Sequence, residues 1–116
     1  MRNREEKKQY FFHKKRYDCA FSLAIDLIGG KWKAKMIYQL RDSAKRSSDL
    51  QRSMHEISNK MFTQTARELE HEGIIFRKVY PAVPPKVEYD LTDLGKSVLP
   101  VILQLEEWGI KISDKV

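Results

Sequence analysis

Ser58-Asn59-Lys60-Met61-Phe62-Thr63-Gln64-Thr65-Ala66-Arg67-Glu68-Leu69-Glu70-His71-Glu72-Gly73 is the stretch on which the fold turns. Wound at ~100° per residue, it places Phe62, Ala66 and Leu69 within about 60° of one another. Asn59, Lys60, Thr63, Gln64 and Arg67 take the other side, in an arc of about 140°. One face is apolar; the opposite face carries hydrogen-bonding and cationic side chains and no acid. Glu68 lies at the border of that polar face. Ile57 and Ser58 open the helix, which runs to Glu72, and Gly73 closes it.

Working outward, Ser47 or Ser48 is placed to cap a short helix through Leu50 and Met54, a few residues of turn ahead of the longer one. Beyond Gly73 the residues change to Ile, Phe, Val and Tyr over 74–80, and Val87, Tyr89 and Leu91 alternate with Glu88 and Asp90. These read as two strands. Pro81, Pro84 and Pro85 stiffen the link between them, so a hairpin over 74–91 with a rigid tip is expected. Short helix, turn, polar-faced helix and hairpin is the order of a winged helix-turn-helix, mainly α with a small β wing.

On the N-terminal side, Cys19, Ala20, Leu23, Ala24, Leu27 and Ile28 recur at helical spacing until Gly29 and Gly30. Trp32, Met36, Ile37 and Leu40 line the inner face of a second amphipathic helix. Residues 1–18 show no sustained periodicity and read as a basic arm, leaving 19–116 as the domain. On the C-terminal side Thr92 can cap a helix from Asp93 to about Ser113, bent at Pro100. It carries two apolar stripes. Leu94, Val98, Val101, Leu105, Trp108 and Ile112 form one; Leu99, Leu103 and Ile110 lie about 150° away. A domain this small rarely buries both, so Leu99, Leu103 and Ile110, with Leu23 of the first helix, are expected to meet a second copy. The arm or the first helix covering that stripe is the alternative.

The 116 residues hold 22 Lys and Arg against 16 Asp and Glu, a formal net charge of +6. The excess is local. Residues 1–18 carry +4 and 31–67 carry +6, whereas 19–30 carry −1 and 68–116 carry −3. Concentrated positive charge on and ahead of a polar-faced helix is the footprint of a phosphate-binding surface. Arg and Lys can donate to guanine O6 and N7, and Asn and Gln can pair with adenine N6 and N7. Asn59, Lys60, Thr63, Gln64 and Arg67 are therefore expected to read bases of double-stranded DNA. Free N–H groups from Ser58 to Lys60 would hold a phosphate, and Lys86 would contact the backbone from the hairpin. A winged helix serving as a protein-interaction or RNA-binding module is the rival reading.

Three motifs in order resemble the HxlR-type transcriptional regulators, a winged-helix family related in fold to the MarR regulators. They are Asp26-Leu27-Ile28-Gly29-Gly30-Lys31-Trp32; Phe62-Thr63-Gln64 with Arg67-Glu68-Leu69-Glu70 and Gly73-Ile74; and Val79-Tyr80-Pro81 through Val83-Pro84-Pro85-Lys86-Val87-Glu88-Tyr89 to Leu91-Thr92 and Gly95. The resemblance spans about residues 19–109. It implies a bacterial, dimeric, DNA-binding regulator joined through its first and last helices. Asn59 stands where the family often has proline, and Ala66 where it usually has leucine. Members that sense oxidants or electrophiles use a cysteine near the start of the first helix, and Cys19 matches that place, with Ala20 instead of the proline that commonly follows. Lys14, Lys15, Arg16 and a nearby helix N-terminus would favour its thiolate. Equally, a lone cysteine on an apolar helical face can be a small buried hydrophobe, and the regulator can answer to a small ligand instead.

Other classes of function find little support. Gly29-Gly30 lacks the spacing of a dinucleotide or phosphate loop. His13, His55 and His71 are scattered, so no metal, cofactor or enzymatic activity is expected. One cysteine, no apolar run of about 20 residues and no signal-peptide core lead to the expectation of a cytoplasmic protein that does not enter membranes.

Overall fold

A computed structural model describes residues 9–114. Helix α1 (Ala20–Ile28) is followed by α2 (Lys33–Gln39), a two-residue strand β3 (Lys45–Arg46), α3 (Ser47–Ser53) and α4 (Asn59–His71). Strands β4 (Ile75–Tyr80) and β5 (Lys86–Leu91) come next, and α5 (Asp93–Ser97) and α6 (Leu99–Ile112) complete the chain. Ahead of α1 lie two further strands, β1 (Tyr10–Phe12) and β2 (Lys15–Tyr17).

The core collects where α2, α3 and α4 meet the base of the hairpin. Met36, Ile37, Leu40, Leu50, Phe62, Ala66, Leu69 and Ile75 are buried there, with Ile102 reaching in from α6. The inward triad of the quoted stretch is thus inside, joined by Thr65, a buried polar residue outside the expected set. Ile57 and Phe62, on either side of the start of α4, share this core and fix the angle at which the chain enters the helix. Ser58 accepts a hydrogen bond from the Met61 N–H at 3.0 Å. At the other end Gly73 adopts φ +79°, which a side chain would resist, and the Ile74 N–H donates back to Leu69 at 2.9 Å.

The hairpin forms as read. β4 and β5 pair antiparallel from Ile75 opposite Leu91 to Tyr80 opposite Lys86. β3 adds to the free edge of β5, giving the order β3-β5-β4; two residues were too few to show as a strand in sequence. α3 begins at Ser47, and the residue ahead of it is Arg46, whose side chain makes no cap bond, so neither serine is the cap expected of it.

Three other expectations change. Residues 10–17, read as part of an arm, form a β1–β2 hairpin whose turn places His13 and Lys14 at φ 50° and 68°. Its Tyr17 is buried and donates its O–H to Asp26 of α1 at 2.6 Å. The last helix does not bend at Pro100 but breaks at Val98, and Pro100 falls in the first turn of α6, where its missing N–H costs nothing. The two stripes do not divide between core and surface as expected, although Leu94, Val98 and Val101 still line one apolar groove across the break. Ile102 is the one buried residue of α6, Leu99 and Val98 pack partly on the core, and Leu94, Val101, Leu105, Trp108 and Ile112 stay exposed. Leu99, expected on the second-copy stripe, therefore faces the chain's own core.

Candidate nucleic-acid interface

The outward face of α4 is continuous. Asn59, Lys60, Thr63, Gln64, Arg67 and Glu68 border one open surface groove, and all are exposed. The five expected base readers are thus brought together on one side of one helix, over the buried Phe62, Ala66 and Leu69. Ser58 spends its hydroxyl on the cap, which fixes the first turn and leaves the N–H groups of Asn59 and Lys60 at a positive helix end.

Between α4 and the sheet lies a hollow of about 330 Å³, walled by Phe62 and Tyr89 and rimmed by Gln51, Thr63, Arg67 and Arg77. Phe62 and Tyr89 meet edge to face with centroids 6.3 Å apart, and burial pushes the Tyr89 hydroxyl pKa up. Arg77 of β4 lies 3.8 Å from Glu70, linking wing to helix. Gln51 of α3 donates its amide to Asn59 Oδ1 at 2.5 Å. Gln64 donates to Glu68 one turn on, at 3.3 Å. Neither Gln51 nor Arg77 was among the expected residues. Gln51 sits on a helix whose exposed side carried no pattern, and Arg77 becomes visible only through the register that sets it opposite Tyr89.

Lys86 stands at the start of β5 on the wing, but its ammonium is engaged. It lies 3.2 Å from Glu88 and 4.8 Å from the centre of the Tyr80 ring. That contact holds the Glu88 carboxyl below its usual pKa, with the Tyr80 hydroxyl as a lesser cause. Lys78 approaches the same ring at 5.0 Å.

The far end of α4 is tied to α1 through one side chain. Lys33 Nζ, largely buried, donates to the Asp26 carbonyl at 3.1 Å and to Glu72 at 3.3 Å, and lies 3.9 Å from Glu68. Asp26 O is a last-turn carbonyl of α1 and lacks an intrahelical partner; the two glutamates are like charges one turn apart at the negative end of α4. A single ammonium answers both. The other oxygen of Glu72, Oε1, is buried with no hydrogen-bond partner, so the ion pair is what offsets its burial.

Cys19 is exposed at the residue preceding α1, in extended backbone conformation. It is not the buried hydrophobe of the alternative reading. The N–H groups of Ser22 and Phe21 at the helix start lower its thiol pKa. Of the three upstream bases, Lys15 pairs with Asp26 and Arg16 with Asp18. Of the residues expected to meet a second copy, Leu103 and Ile110 are exposed and Leu23 is half-buried beside an apolar groove shared with Val98 and Val101. No helix among the described residues is long and apolar enough to cross a membrane.

A short helix, a turn, a helix with its polar face outward and a hairpin flanking it define a winged helix-turn-helix protein. Residues 27–116 match the HxlR-like helix-turn-helix family, and the chain belongs to that family. It is 44% identical over 98 residues to the uncharacterised HTH-type transcriptional regulator YdeP of Bacillus subtilis (strain 168), covering 84% of this chain and 77% of that one. Among solved structures it is similar to the redox regulator HypR in its oxidised form, with a TM-score of 0.79 and 43% identity over 84% of this chain and all of the other. A MarR-family regulator from Porphyromonas gingivalis W83 superposes with a TM-score of 0.79 at 36% identity, covering 82% of this chain and 93% of that one. The chain is a transcriptional regulator of the helix-turn-helix type.

Proposed function

We propose that this regulator binds specific DNA sequences as a homodimer, with α4 in the major groove and the β4–β5 wing along the backbone. The observation that carries the reading is the exposed face of Asn59, Lys60, Thr63, Gln64 and Arg67 standing over a buried apolar stripe. Those side chains supply donors and acceptors matched to base edges, and the helix start supplies N–H groups for a phosphate. Titrating salt against operator and unrelated DNA tests it. Specific binding predicts a steep salt slope with a preference of about 10³-fold or more surviving, whereas an RNA- or protein-binding module would show the non-specific part alone. Gln64→Ala and Arg67→Ala are each expected to relax base preference, while Lys86→Ala weakens all sequences alike.

The homodimer reading rests on apolar surface left open. No residue of α1 is buried, and Phe21, Ile25, Leu103, Leu105, Trp108 and Ile110 are all exposed, an excess that soluble monomers avoid. A two-fold pair would set two α4 helices on half-sites one helical turn apart, about 34 Å, or a multiple of it. Sedimentation should give a dimer that Ile110→Glu dissociates; a monomeric wild type refutes this part. Cys19 supports thiol-based control: it is exposed, its pKa is lowered, and the similar HypR is a redox regulator. Oxidant should change operator affinity in the wild type and leave Cys19→Ser unaffected.

A further inference from the structure

The contact face of α4 begins at Asn59, and that side chain is already held in the unbound chain. An asparagine amide offers one acceptor oxygen and a two-proton donor. A free asparagine uses both against adenine, donating to N7 and accepting from N6 in one plane. Here Oδ1 is turned to α3, where Gln51 Nε2 reaches it at 2.5 Å. What Asn59 keeps for DNA is the Nδ2 amino group, and no other hydrogen bond among the described residues engages it. Gln51 is half-buried and Asn59 exposed, and both line the hollow between α4 and the sheet. Gln64 is held with the opposite polarity. Its amino group serves Glu68, which leaves its oxygen outward.

We infer that Gln51 is a specificity-determining positioning residue: by holding Asn59 Oδ1 toward α3 it leaves the Nδ2 amino group as the edge that Asn59 presents to DNA, and so selects guanine over adenine at the base that Asn59 meets. In the major groove guanine presents two acceptors, O6 and N7, whereas adenine sets beside its N7 an N6 donor that an amino group turned toward it cannot satisfy. The inference rests on α4 being the base-reading helix. Gln51 itself touches no base; its effect passes through the orientation of one amide.

Selection of bound duplexes from a randomised pool by the full chain, followed by sequencing, tests this in four proteins. Asn59→Ala identifies the base position that Asn59 governs, because preference collapses there. At that position the wild type should favour guanine over adenine by about tenfold. In Gln51→Ala the amide is released and adenine should rise to match guanine. In Gln51→Glu the carboxylate can accept only, so Asn59 must donate to it and turn Oδ1 outward; preference should move to adenine or cytosine, whose amino groups donate. The added charge of Gln51→Glu weakens binding to all sequences and leaves the ranking of bases as the readout. The base facing Gln64 should keep its preference throughout. Adenine or cytosine favoured by the wild type, or guanine still favoured in both Gln51 variants, overturns the role given to Gln51 alone. An Asn59→Ala protein with every preference intact overturns it together with the reading of α4.

Discussion

Replacing Gly95 with alanine puts a methyl group where the structure has a backbone atom. A Cβ at this position would stand 2.2 Å from the Ile74 carbonyl oxygen and 3.2 Å from Leu91 Cδ2. Relief requires α5 and the strand end to separate by about 1 Å, since packed interiors hold no slack of that size. The oxygen in the way is not free to move. It accepts from the Thr92 N–H at 3.0 Å, and the Thr92 hydroxyl, which donates to the neighbouring Gly73 carbonyl at 2.5 Å, caps α5 by accepting from the Gly95 N–H. Overpacking of this kind costs about 1–3 kcal/mol, and a rigid carbonyl belongs at the upper end. Weakening one of the Thr92 bonds adds about 1 kcal/mol. The better helix propensity of alanine returns about 1 kcal/mol. The expected loss is about 3 kcal/mol, which for a chain of this size lowers Tm by about 12 °C. Urea and thermal melts followed by circular dichroism, at one protein concentration, measure it. Gly109→Ala is the comparison, because nothing lies within 4 Å of its added methyl. Equal stabilities for the two variants would refute the close-approach reasoning.

Three further outcomes are expected. Tyr17→Phe removes the hydroxyl that chiefly holds the Asp26 carboxyl below its ordinary pKa of 3.8, so the wild type's advantage in urea melts should be full above that pH and shrink as pH falls through and below it; an advantage unchanged from pH 7 to 3 contradicts this. Alkylation of Cys19 by iodoacetamide should show a rate midpoint below the ordinary thiol value of 9.0, and a midpoint at or above it removes the role given to the N–H groups of α1. Ser58→Ala should cost about 1 kcal/mol of stability in thermal melts, while Ser58→Asp keeps the cap and should instead weaken DNA binding by setting a carboxylate against the phosphate.

What could be read in advance follows the length of each pattern. Thirteen residues of α4 give the helical period time to separate Phe62, Ala66 and Leu69 from Asn59, Thr63 and Arg67, so both the element and its exposed face were legible. The β4–β5 hairpin announced itself by alternation and prolines. The β1–β2 hairpin did not: each strand has three residues, and its turn puts a histidine and a lysine at positive φ, where glycine or asparagine is the usual sign. The break at Val98 was obscured because proline two residues later reads as a kink from within a helix and as a favourable start from outside it. Within the site, periodicity says which way a side chain faces and nothing of what holds it. Gln51 against Asn59, and Glu88 and Tyr80 against Lys86, are contacts between elements and required the folded chain.

The ammonium of Lys33 sits between the end of α1 and the end of α4, and the choice of lysine there has a mechanical meaning. An arginine fork would impose a plane on its two partners and with it an angle between the helices. An ammonium is a compact charge that sets separation without setting direction. The helix that fronts the open apolar surface and the helix that fronts the polar one are therefore joined as by a ball in a socket. The contact sets their separation through three oxygens and leaves the angle between them to the packing of α2 against both.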